Sequence, residues 1–146
     1  MQFFGNYSKK RLDLDVIHKK LAIHSKKISF SFNNLNIIIF DFHSYENFRV
    51  IKHNQLLILG RAIDADKEIT DAYLKTKNYT SIQDLINSLW GNYILFYTST
   101  DELNIFISHN SKQRFFYRKI KEELCFASSI ELLEKITSKI EIDISK

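Results

Sequence analysis

The sequence predicts an α+β fold with two packed sheets. Three observations carry that prediction. Strand-like runs fill the chain as far as Ile63, the apolar period turns helical between Asp64 and Gly91, and strands return after Gly91 before a last helix. The content is 45% hydrophobic and 26% charged, enough apolar material for a packed core. The 14% of aromatic residues, mostly Phe and Tyr, suits strands.

Taken in order, Gln2 to Tyr7 is a short apolar run that starts the first strand. Leu12, Leu14 and Val16 alternate with Asp13 and Asp15, as a half-buried strand does. Ile28, Phe30 and Phe32 alternate with Ser29 and Ser31, and Asn33-Asn34 supplies a hairpin turn. Leu35 to Phe42 is almost continuously apolar, which predicts a strand covered on both faces. Phe48 to His53 and Gln55 to Ile63 follow, with a turn at Asn54. Asp64 to Lys77 reads as a helix, from Ile69, Ala72 and Tyr73 at i, i+3 and i+4. Ser81 is placed to cap a second helix, with Asp84 three residues on and Ile82, Leu85, Ile86 and Leu89 as its apolar face. Gly91 is placed to end that helix with a positive φ. Asn92–Thr98 and Leu103–Ser108 flank a turn at Ser99–Glu102, and Arg114–Ile120 and Glu122–Ala127 flank a reversal at Lys121. Ser128 or Ser129 then caps a last helix with Glu131 in its first turn.

The 146 residues fit one domain, 1–146, without repeat or linker. The net charge of +4 is spread as short pairs, Lys9-Lys10, Lys19-Lys20 and Lys26-Lys27, with acidic residues between them. This weighs against a nucleic-acid patch. One cysteine, Cys125, excludes an internal disulfide and a thiolate cluster, and the five histidines have no ligand-like spacing, so no metal is expected. No apolar run is long enough to cross a membrane and no signal peptide is visible, so the expected compartment is cytoplasmic. No Gly-rich phosphate loop occurs, and no cofactor is expected.

The stretch from Trp90 to Lys135 resembles the second half of the glutaminase domain of asparagine-synthetase-type amidotransferases. Gly91 stands where that family has a glycine before an apolar strand. HNSKQRFFY, His109 to Tyr117, stands in the place of its Arg-Asp-x-x-Gly-x-x-Pro-Leu-Tyr-Tyr pattern. Phe126-Ala127-Ser128 matches its Phe-Ala-Ser, with Ser129 where the glutamate usually lies. LLILGRAID resembles the strand that ends Asn-Gly-Glu-Ile-Tyr-Asn, and MQFFG resembles the start of members that open on an apolar pair and a glycine. The resemblance implies a four-layer αββα sandwich of two mainly antiparallel sheets, the N-terminal-nucleophile (Ntn) hydrolase fold.

It also implies where chemistry should sit. In active members a terminal cysteine attacks the glutamine amide, its own amine acts as general base, and backbone and Asn donors hold the oxyanion. Here Met1 and Gln2 stand where the nucleophile would be, and the bulk of Gln2 disfavours removal of Met1. The Asn-Gly-Glu triplet becomes Leu59-Gly60-Arg61: Leu59 cannot donate, and Arg61 reverses the charge that would hold the substrate amine. Cys125 reads as a small buried hydrophobe within a strand. Met1, Gln2, Leu59, Gly60 and Arg61 are therefore a degenerate pocket with no catalytic residue, and no activity of its own is expected of this domain. Arg114 is a candidate contact with a partner or anion; the plainer reading is a surface charge lying over aromatic faces.

The resemblance implies a glutaminase-like pseudoenzyme, as in lasso-peptide cyclases. It would be a scaffold or docking part of an ATP-dependent, peptide-modifying, amide-forming system. The Ser-Gly-Gly-x-Asp-Ser motif of the synthetase part does not occur in the sequence, which leaves a separated subunit, a piece of a longer protein or a stand-alone relic; the partner the resemblance points to is a synthetase-like protein, with a peptide as a candidate substrate. The alternative is a free-standing binding module for a peptide or nucleic acid, using KQRFFYRK, Lys112 to Lys119.

Overall fold

The computed structural model describes residues 1–9, 18–19, 21, 27–40, 49–77 and 79–144. The strand expected over Leu12–Ile17 lies outside these residues, as do His24, His43, Phe42 and Phe48. The architecture is mixed α+β, mostly two antiparallel sheets with few helices. The chain divides into two compact units: Met1–Tyr45 with Arg114–Lys146, and Glu46–Gln113.

In the first unit the strands are β1 (Gln2–Tyr7), β2 (Lys27–Phe32), β3 (Leu35–Phe40), β9 (Phe116–Ile120) and β10 (Glu123–Ala127). Their order is β2-β3-β1-β10-β9, antiparallel throughout. The first strand is thus the centre of its sheet: Phe4 faces Ile38 on one side and Ala127 on the other. Asn33 and Asn34, both with positive φ, close the β2–β3 hairpin as the two-residue loop of a twisted ribbon requires. Lys121, φ 53°, does the same between β9 and β10.

Period-2 alternation sends successive side chains of these strands to opposite faces. Phe4, Ile38, Phe40, Cys125 and Ala127 form one cluster with Leu132, Leu133 and Ile136 of a last helix (Ile130–Ile144). Each fully buried large side chain of this kind contributes about 1.5–3 kcal/mol. On the other face Phe3, Ile37, Ile39 and Phe126 are fully buried. There the Phe126 ring stacks on Phe115 at 5.5 Å, and Phe115 on Phe3 at 6.1 Å. β3 is buried at every position, Asn36 included, as its nearly continuous apolar run predicts.

The second unit holds β4 (Val50–His53), β5 (Leu56–Asp64), β6 (Lys67–Glu68), α1 (Asp71–Thr76), α2 (Ile82–Ser88), β7 (Leu89–Thr98) and β8 (Leu103–Ile107). The last helix of the chain, in the first unit, is α3. The sheet order is β4-β5-β7-β8, and β6 folds back on the end of β5. Ile51, Leu56, Ile58 and Leu95 pack against Ile69, Leu74 of α1 and Leu85 of α2.

The strand read over Arg114–Ile120 begins at Phe116, and two expected helix boundaries move further. The helix read over Asp64–Lys77 spans only Asp71–Thr76. Ala65 and Asp66 take positive φ and turn β5 back into β6, and Ile69 N–H donates to Ala62 C=O at 2.9 Å. Thr70 is the N-cap, its hydroxyl accepting from Tyr73 N–H at 3.1 Å. Ala72, counted as apolar face, is exposed, and Leu74 is the residue that reaches the core. Gly91 does not end α2. That helix stops at Ser88, and Leu89 is already extended, with the Ser88 hydroxyl returning to Leu85 C=O at 2.8 Å. Gly91 has the positive φ expected of it, 124°, but inside β7.

Candidate functional site

Of the residues expected to form a degenerate pocket, Met1 and Gln2 belong to the first unit and Leu59, Gly60 and Arg61 to the second. Gln2 opens β1, exposed, opposite Phe40. The next residue is fixed from both sides of its peptide. Phe3 N–H donates to the Ser128 hydroxyl at 3.0 Å, and Ser128 N–H donates to Phe3 C=O at 2.9 Å. The Phe126-Ala127-Ser128 stretch therefore runs directly beside Phe3-Phe4-Gly5. Ser129, not Ser128, caps α3, accepting from Leu132 N–H at 3.2 Å.

Leu59 is fully buried in β5, between Val50 and Ile94. Its side chain offers no hydrogen-bond donor. Gly60 has φ +112°, and its N–H donates to Arg49 C=O at 2.8 Å. A Cβ there would stand 2.3 Å from the Asn92 carbonyl oxygen; one on Gly91 would stand 2.3 Å from that of Arg61. The two glycines flank the Arg61–Asn92 pair diagonally, so the β5 and β7 backbones approach closely at this point. Arg61 is exposed. Its Nε lies 3.7 Å from Glu68 Oε1, and Arg49 Nε lies 2.9 Å from the same oxygen. Glu68 is thus shared between Arg49 and Arg61, closer to Arg49.

Ser108 completes this corner. Its hydroxyl donates to Gly91 C=O at 2.6 Å and accepts from Tyr93 N–H at 3.3 Å, while Asn92 Oδ1 accepts from Lys112 N–H at 3.0 Å. A groove of about 430 Å³ lies alongside, lined among others by Leu89, Trp90, Tyr93, Phe106, Ile107 and His109. Arg114 is exposed between β8 and β9.

One cluster escaped the sequence. Asp64 is only 7% exposed, and its Oδ2 accepts from the Tyr73 hydroxyl at 2.6 Å and from Lys77 Nζ. Lys77 also donates to the Ser88 hydroxyl at 3.3 Å and lies 5.7 Å from the Tyr73 ring centre. The bond from Lys77, then that from Tyr73, holds the Asp64 carboxyl below its usual range; the same carboxylate raises Lys77 and Tyr73. Reading Asp64 as the start of a helix hid the group. The Tyr73–Lys77 spacing of four was the available signal. The cluster ties the end of β5 to α1 and to Ser88 of α2. Lys77 balances the Asp64 charge and the Tyr73 hydroxyl adds a hydrogen bond, an arrangement that keeps the carboxylate ionised and fixed in place.

Elsewhere Asp71 is held low by Lys75 at 2.8 Å and by His53 at 3.0 Å. Cys125 is fully buried against the α3 side of the first sheet, and Phe126 points to the other face, as alternation predicts. Asn6 is fully buried near the end of β1, and neither polar atom of its side chain has a hydrogen-bond partner among the described residues. Among the described residues no three His, Cys, Asp or Glu side chains come together, and no helix is long and apolar enough to cross a membrane. No protein-family model, no curated protein and no solved structure matches this chain.

Proposed function

We propose that this chain is a catalytically inactive glutaminase-like domain of the N-terminal-nucleophile hydrolase type. It would act as a scaffold or docking subunit of an ATP-dependent, amide-forming, peptide-modifying system. The observation that carries the reading is the head of β1. This strand is central in its sheet and is pinned at Phe3 by Ser128, which is where a nucleophile-type enzyme needs its attacking residue held. The residues at that head are Met1 and Gln2, a thioether and an amide. Neither attacks a carbonyl under these conditions. Leu59, buried and without a donor, agrees with the same loss.

The partner this reading requires is a synthetase-like protein that carries ATP chemistry, with a peptide as the shared substrate. The binding-module reading is less well supported. Within Lys112–Lys119, Phe115 stacks on Phe3 and Phe126 and lies tilted against Tyr117, and Phe116 packs towards the α3 cluster. Tyr117 is then the one strongly exposed ring of the stretch, and a single-strand platform uses several successive rings.

Two assays test the proposal. The purified chain should release no ammonia from glutamine above the no-protein rate; release abolished by Gln2→Ala would overturn inactivity. A tagged chain should retain a protein bearing the Ser-Gly-Gly-x-Asp-Ser signature from its native source. Retention of oligonucleotides that weakens steeply with salt, without such a protein, would favour the alternative.

A further inference from the structure

Among the described residues four strands end the two sheets: β2, β9, β4 and β8. An open edge presents unpaired N–H and C=O groups, and proteins usually blunt it with charge, especially Lys. β2 carries Lys27, β4 carries Lys52 and β9 carries Arg118 and Lys119. β8 reads Leu-Asn-Ile-Phe-Ile, with neither charge nor proline. No residue of β8 is buried, and Ile107 is 48% exposed. Among the described residues β8 pairs only with β7. Past its end the Ser108 hydroxyl occupies the Gly91 and Tyr93 backbone groups, so β7 is protected where β8 stops while β8 itself is not.

We propose that β8 is a self-association edge, on which two copies of this chain pair antiparallel about Ile105. The strand is self-complementary in that register. Ile105 meets its own counterpart, Leu103 meets Ile107 of the second copy, and Asn104 meets Phe106. No like charges face one another, whereas β9 paired with itself about Arg118 would set two guanidiniums opposite. The same contact shields the groove at the Ile107 end of the strand, where Trp90 is 53% exposed. Five paired residues cover less than a standard interface, so the dimer is weak, with a Kd on the order of 0.1 mM. This goes beyond the scaffold reading and stands or falls without it.

Sedimentation velocity from about 10 µM to about 1 mM should show a concentration-dependent shift from monomer to dimer. Hydrogen exchange should slow selectively at β8 amides as concentration rises. Ile105→Lys should abolish both effects with circular dichroism unchanged. The more exposed Ile107→Lys serves the same purpose should Ile105→Lys not fold, and Arg118→Glu should leave the dimer intact. A monomer throughout the range, or a dimer that survives Ile107→Lys, overturns the proposal.

Discussion

The two units are both antiparallel sheets with helical cover, yet they are assembled in opposite ways. The second is local: β4–β5, β5–β6 and β7–β8 are hairpins between neighbours in sequence. The first is long-range, because its central strand β1 bonds to residues 125 positions away. Loop closure must precede any reward from such pairing, so the first sheet is expected to form late and the second early. The difference teaches that burying the first strand requires the end of the domain to be present, whatever the chemistry at Met1.

The strongest test of this contrast is Phe126→Ala against Leu95→Ala. Phe126→Ala should cost about 3–5 kcal/mol and Leu95→Ala about 2–5 kcal/mol, read as the shift in urea midpoint. Phe126→Ala should mainly speed unfolding, while Leu95→Ala should mainly slow folding. Equal effects on both rates would break the comparison.

Asp64→Asn comes next, at about 2 kcal/mol, the order of a lost charged hydrogen bond. The folded carboxyl lies below its usual value, so its stabilisation is present above about pH 4 and lost as pH falls through the folded value. Lys77 and Tyr73 are raised, so their share is present below about pH 10 and lost as pH rises. Denaturation midpoints across pH should therefore be flatter on both limbs in the variant. An unchanged profile would mean that the cluster does not anchor α1.

Ser128→Ala should cost about 1–2 kcal/mol, since it removes the acceptor of the half-buried Phe3 N–H. Faster exchange of that amide would place the loss at β1. Arg61→Ala is the mildest change, within about 0.5 kcal/mol, because its ion pair is half exposed and Arg49 keeps Glu68 occupied. A larger cost in thermal unfolding would show that Arg61 does more for the second unit than these contacts explain.

Much of this fold was legible where one rule acted alone. The nearly continuous apolar run over Leu35–Phe40, the Asn33-Asn34 turn and the Ser81 cap each follow from local chemistry. The failures came where tertiary contact overrode a local signal. Ile69 completed a helical period on paper, but it closes a hairpin. Gly91 carried a helix-ending signature, but close approach of β5 is what needs it. Of the candidate site, the buried Leu59 and exposed Arg61 follow from the residues themselves. The Ser128 grip on Phe3 does not, because sequence patterns carry no information about partners so far apart.

All three glycines lie in strands, and none in a turn. The left-handed turn positions fall instead to Asn33, Asn34, Asn54, Ala65, Asp66 and Lys121. The sequence consequently has no Asn-Gly step. That dipeptide ages fastest, because an unhindered following amide nitrogen closes readily on the asparagine side chain to form a succinimide. At Asn33, Asn34 and Asn54 the following side chain stands in the way of that closure. Deamidation at these three turns is therefore expected to be slower than at an Asn-Gly step, a local durability that no unfolding curve reads.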